Sequence, residues 1–502
     1  MLEILLENLP IIILMLVLII IVPIMEHPKI SFHLVNIGII LTIFLQTLMI
    51  LSITIPQLSF FAQYSPSQSA SWIIADFLLC LFLALHVLNK KSILNSNSGE
   101  LIGPIFLLMV ISTIILLESE NIFIISMAFL VLLNVVYYMS FTGDYKKDPK
   151  YFKEFKEMVG FTTFLLIILI AVLGLLLFSY NLINLKITFT SMQLIQEYLT
   201  YFAYFLALTL LPGFGVLVSR KIRRNFSDFP PLLIGIVSIV VFPTIFLVNF
   251  RIFTTFISFN HTLGYVFFGI SLIGILWTIK ELIYEFRKQT PQKRTNLTRI
   301  FFLLTSIDAQ GFLLILSGYY FSAQAKTLFF STTIWYFLVV IMFKVLILAV
   351  MLPYLRVLDK NYRLNTVSSK TWGWNFVLLI LAPGIFLFDN APGFQFISGL
   401  YSSLLNTATN LIPQSSDIIF LWIILILGLG IISFEFLIVV WFFNFIRKEI
   451  TSKKNIEPVS PTSSLVFSDG FLVIFLYVLM VIWTIFGPKL DLISNLQTFF
   501  FF

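Results

Sequence analysis

The chain reads as an all-α polytopic membrane protein of about fourteen transmembrane helices, built on two inverted five-helix repeats with helices 7 and 12 interrupted. Three observations predict it. Apolar runs of roughly twenty residues, each long enough to cross a hydrocarbon core of about 30 Å, recur from one end of the sequence to the other. Hydrophobic residues make up 59% of the 502 and charged ones 11%, where a soluble domain carries about a quarter charged. The basic residues, finally, gather in every second connection between the runs.

In order, the spans cover 5–24, 31–54, 72–88, 102–117, 122–141, 159–181, 195–218, 231–256, 262–280, 300–321, 327–350, 373–412, 417–446 and 470–487. The first has Glu3 and Glu7 at its start and neither a basic leader nor a small-residue cleavage site, so it reads as a retained span rather than a signal peptide. The third holds the single cysteine, Cys80, which excludes a disulfide framework and any CxxC-based metal or iron–sulfur site. Leu211-Pro212-Gly213-Phe214-Gly215 interrupts the seventh span towards its end. The twelfth is too long for one straight crossing, and Asp389-Asn390-Ala391-Pro392-Gly393 should break it near mid-membrane. Pro212-Gly213-Phe214 thus recurs as Pro392-Gly393-Phe394 five spans later. Interrupted segments at matching places in two halves point to an inverted repeat, although Pro-Gly pairs are also ordinary punctuation in membrane helices. The domain organisation that follows is 1–101 for helices 1–3, 102–256 and 262–446 for the two repeats, and 447–502 for a loop and the last helix.

Charge tests the frame and orients it. One connection carries Lys146, Lys147, Lys150, Lys153 and Lys156, and the next on the same side carries Arg220, Lys221, Arg223 and Arg224. Counted over all alternate connections, 26 of the 31 basic residues fall on one side. The other side holds Lys186, Lys326 and Lys489, while Arg251 and Lys344 lie within spans. A missed or invented helix would scramble this alternation. The crowded side is cytoplasmic by the positive-inside rule, which puts both termini outside an integral cell or energy-transducing membrane. The net charge of +7 is therefore a loop property and implies no nucleic-acid partner.

Several motifs in sequence order resemble the antiporter-like membrane subunits of respiratory complex I and related hydrogenase complexes, most closely the N-type subunit, over roughly 72–410. The third span opens Trp72-Ile73-Ile74-Ala75-Asp76-Phe77; Leu211-Pro212-Gly213-Phe214 leads through a basic loop to Pro230-Pro231; and Arg251 ends the eighth span. Arg299, Thr305-Ser306-Ile307 and Gly311 follow in the tenth, Leu328-Phe329-Phe330 through Phe343 in the eleventh, and Gly393-Phe394 in the twelfth. The resemblance implies proton translocation along a central chain of ionisable side chains, driven by redox chemistry elsewhere in a complex of membrane subunits. The family's Glu in the fifth helix falls on Leu130 or Val131, and its lysines in the seventh, eighth and twelfth fall on Ala207, Phe242 and Ile397. Its histidines fall on Phe214 and Ala309. None of these takes up a proton.

The ionisable residues that do lie within spans are Asp308, about 13 Å into the tenth, Lys344 in the eleventh, Asp389 at the break of the twelfth, and Glu435 near the middle of the thirteenth. A charge buried in hydrocarbon costs at least about 2.5–3.5 kcal/mol, so each needs a reason. One reason is a displaced proton or ion path through the C-terminal half. The other is pairing for packing, Asp308 with Lys344 for instance, without conduction. Arg251 and His86 near span ends read as snorkelling side chains, and Asp76 as a helix cap or a contact to a neighbouring subunit.

No phosphate loop, HExxH, GxSxG or metal-ligand cluster is present, and the four histidines, His27, His33, His86 and His261, are scattered. The expectation is a non-catalytic membrane-arm subunit of a complex-I-like NADH/quinone or ferredoxin/hydrogenase-type oxidoreductase, with no cofactor or metal of its own and other membrane subunits and lipid as partners. Contact with quinone stays open. The alternatives are a structural subunit of such a complex that no longer conducts, and a stand-alone cation/proton antiporter.

Overall fold

The computed structural model describes residues 9–54, 69–88, 90–94, 99–119, 236–256, 261–287, 297–321, 326–358, 392–410 and 415–452, with scattered helical positions between 124 and 167. Among the described residues every element is helical. A backbone in lipid must satisfy its own N–H and C=O groups, and the helix does this within one segment. In chain order the elements are α1 (Leu9–Ile21), α2 (Pro28–Thr54), α3 (Ser69–Leu88), the short α4 (Lys90–Leu94) and α5 (Gly99–Glu118). Then follow α6 (Phe242–Phe256), α7 (His261–Arg287), α8 (Leu297–Phe321), α9 (Lys326–Leu358), α10 (Pro392–Asn410) and α11 (Ser415–Ser452). The span expected at 195–218, with the break at Pro212 and Gly213, lies outside the described residues, as do Asp389 and the span at 470–487.

Stretches long and apolar enough to cross a membrane occur at Pro28–Met49, Leu101–Glu118, His261–Tyr284 and Ile418–Ile438, with shorter apolar helices at Leu9–Ile24, Ile74–Val87, Val237–Arg251 and Ser331–Val345. The helix ends and the hydropathy ends differ. α11 has 38 residues, about 57 Å at 1.5 Å per residue, because backbone hydrogen bonding continues after the apolar run stops. α10 starts at Pro392, within the expected break, a position where a missing N–H costs no helical bond. A π-helical turn, Val237–Val241, leads into α6 immediately ahead of Pro243. The wider turn gives room where the proline ring would press on the carbonyl one turn back. Hydroxyls within the helices fold back on their own backbone: Thr42, Thr244, Thr333 and Ser403 each donate to the carbonyl four residues earlier.

The chain divides into two compact units, the first holding α1 to α6 and the second α7 to α11. In the first, α2 packs on α1, α3 and α5, and α5 also meets α3 and α6. In the second, α8 packs on α7, α9 and α11, while α9 packs on α8, α10 and α11. The outer helices keep one apolar stripe exposed, as at Ile37 and Phe44 on α2, Ile273 and Leu276 on α7, and Ile426 and Leu437 on α11. Such stripes suit lipid. α8 from 303 to 321 and α9 from 332 to 345 are instead buried on every side, the pattern of helices at the centre of a bundle.

Candidate functional site

Because α8 at 303–321 and α9 at 332–345 are enclosed by their neighbours, a charge within those stretches has no route to water along its own side chain. Asp308 on α8 is 0% exposed, Lys344 on α9 1%, and Glu435 on α11 2%. They meet. The Lys344 ammonium forms an ion pair with Asp308 Oδ2, and the Glu435 carboxyl on α11, which packs on both α8 and α9, lies within electrostatic reach of both charges. Tyr336, two helical turns before Lys344 on α9, points its hydroxyl at α8 and lies 3.4 Å from the Asp308 carbonyl oxygen, to which it donates. Gly311 makes that approach feasible, since a Cβ there would overlap the tyrosine hydroxyl. Of the four path candidates, three are thus brought together from three helices, and Asp389 lies outside the described residues. The two acids and one base carry one net negative charge when all are ionised.

The first unit holds a second set of polar groups between its helices, most of it unanticipated, in which Asp76 and Glu118 are half-buried. Asp76 sits in the interior of α3 rather than at a cap, and its Oδ2 accepts from Thr47 Oγ1 of α2 at 2.7 Å. One residue earlier on α2, Gln46 Nε2 donates to Glu118 at the end of α5, also at 2.7 Å. Arg251 and His86 do not snorkel. Arg251 is 3% exposed and donates from a guanidinium nitrogen to the Leu117 carbonyl oxygen at 3.1 Å, capping the last turn of α5 with a positive group. His86 is buried between Phe32 and Phe106, ring to ring at 4.4 and 4.5 Å. Its Nδ1 is 2.7 Å from Asn36 Oδ1. Both were misplaced for one reason: nearness to a span end does not say whether a neighbouring helix covers the side chain.

No three His, Cys, Asp or Glu side chains gather at metal-ligand positions among the described residues. The available chemistry is the movement of a proton among two carboxyls and an amine, or the fixing of three helices by charge.

Among solved structures, the chain matches one from the membrane-bound sulfane sulfur reductase, an archaeal respiratory membrane complex, with a TM-score of 0.64. The alignment covers 99% of this chain and 97% of that one, at 12% identity. The two share a fold. No family model matches the chain, and no curated protein matches it. At such low identity the side-chain chemistry has to be read from this chain's own residues, and Asp308, Lys344 and Glu435 are where it concentrates.

Proposed function

We propose that the chain is a membrane-arm subunit of a respiratory complex and that the Asp308–Lys344–Glu435 cluster takes up and releases a proton in it. The observation that carries the reading is the cluster itself, two carboxyls and one ammonium enclosed by three helices. Burial favours a neutral arrangement, and one proton is what makes this one neutral. Asp389, next to the twelfth-span break, belongs to the same path in this reading. The fold shared with a chain of a respiratory membrane complex supports the setting, as does the motif order of the antiporter-like, N-type subunits. The full frame is then about fourteen spans in two inverted repeats with both termini outside.

The test replaces the two carboxyls one at a time by amides of the same shape, as Asp308→Asn and Glu435→Gln, each of which leaves Lys344 one acidic partner, and measures protons moved per electron in sealed membranes. Native gels score assembly in parallel. Loss of proton movement with assembly intact is the expected result. A specific observation favours a second reading, that of a structural subunit: Lys344 and Asp308 are already paired, and the family's own lysine and glutamate positions are apolar here. Under that reading the variants lose assembly and stability together, and the protons moved per electron in whatever complex remains stay unchanged.

A further inference from the structure

α7 and α8 run antiparallel, and the line along which they touch is unusually polar for the middle of an apolar bundle. Gly264 meets Phe321, Ser271 Oγ donates to the Gln310 carbonyl at 2.7 Å, and the Thr278 and Ser306 hydroxyls lie 3.2 Å apart. Farther along α7, the half-buried Glu281 stands near the helix end that leads into the basic connection around 288–296. Gln310 sits inside this seam. It is 0% exposed, and neither Oε1 nor Nε2 has a hydrogen-bond partner among the described residues. Its amide presses against Gly274, where a Cβ would overlap it. Trp277, beside Gly274's turn on α7, has a buried indole N–H that also finds no acceptor there.

An amide brings two N–H donors and a carbonyl acceptor. A leucine would fill similar space with nothing to satisfy, so tight packing alone does not account for Gln310 and the glycine notch that receives it. Groups of this kind are met in proteins by buried water, which needs two to four polar partners. We propose that the α7–α8 seam is wet: a file of water runs from the Glu281 end to Gln310, bridged by the Thr278 and Ser306 hydroxyls and the Trp277 N–H. Glu281 and Gly274 are seven residues apart, about 10 Å along the helix, which is the length of roughly four waters at 2.8 Å spacing. Asp308 lies between Ser306 and Gln310 in sequence but faces α9, so the file ends one helix width from the charged cluster. As a proton entry route the seam rests on the function proposed above; as a hydrated seam it stands by itself.

Cys80 is the one native cysteine, so its replacement by serine leaves a clean background. Thr278→Cys and Ser306→Cys, made singly in the full chain in its membranes, are exposed to a small charged thiol reagent. Leu314→Cys in the dry interior of α8 and Leu276→Cys on the lipid face of α7 are the controls. Thiols react as thiolates, which need water. The two seam cysteines should therefore react roughly tenfold faster or more than both controls, and adding Gln310→Leu should bring them down to the control rate. Gly274→Ala, which displaces the amide, replaces Gln310→Leu where that variant fails to assemble. Seam cysteines no faster than Leu314→Cys overturn the proposal. Fast labelling alongside unimpaired proton movement in Asp308→Asn keeps the wet seam and removes the proposed function instead.

Discussion

The two units of this chain hold acids between their helices in different ways, fully buried in the second and half-buried in the first. In the second, Asp308 meets a lysine and Glu435 joins the pair, on two helices that are covered on every side and a third packed against them. In the first, Asp76 and Glu118 are each held by an uncharged donor, Thr47 or Gln46, from adjacent positions on α2. The difference teaches what each arrangement tolerates. A buried ion pair that loses one member leaves the other charge stranded, whereas an acid held by a neutral donor loses a hydrogen bond and stays able to protonate.

Lys344→Met should break this contrast most severely. It leaves Asp308 and Glu435 buried without a counter-charge and should destabilise the chain by about 3–5 kcal/mol, read as the unfolding midpoint in mixed detergent micelles. The double variant Lys344→Met with Asp308→Leu should recover part of that loss. A double variant as unstable as the sum of both singles would mean that the pair does not act as a pair. Gly311→Ala comes next, because its methyl group would displace the Tyr336 hydroxyl beside Asp308; overpacking of this kind costs about 1–3 kcal/mol. In the first unit, Gln46→Leu removes the donor to Glu118 and should cost about 1–3 kcal/mol in the same assay. Glu118→Leu added to it should cost little further. Thr47→Val sharpens the comparison at its small end. Interhelical hydrogen bonds in membrane proteins average about 0.6 kcal/mol, so a loss as large as that of Lys344→Met would show that Asp76 carries an uncompensated charge after all.

Much of this was readable from the residues. Asp308, Lys344 and Glu435 stood out because each is a charge within an apolar run, and the high cost of such a charge marks it without any coordinates. Gln310, two residues from Asp308, carries a weaker signal of the same kind, because an uncharged amide is less costly to bury than a charge. Glu118 was hidden differently. It falls one residue after the apolar run at 102–117, where a carboxylate reads as solvated, and only the approach of α2 brings Gln46 onto it. Arg251 and His86 were misread on the same ground: a span end is at the membrane surface by hydropathy, yet α5 and the rings of Phe32 and Phe106 enclose those side chains.

By itself the sequence determined that the chain is helical and membrane-embedded, with particular charges inside its apolar runs. Hydropathy and charge act residue by residue, through the transfer of each side chain between water and lipid, so they are legible in one dimension. Only the tertiary structure decided which of those charges meet. Pairing depends on which helices are central, and α8 and α9 occupy the centre because other helices cover all their faces, a property of the bundle that no single stretch of residues encodes.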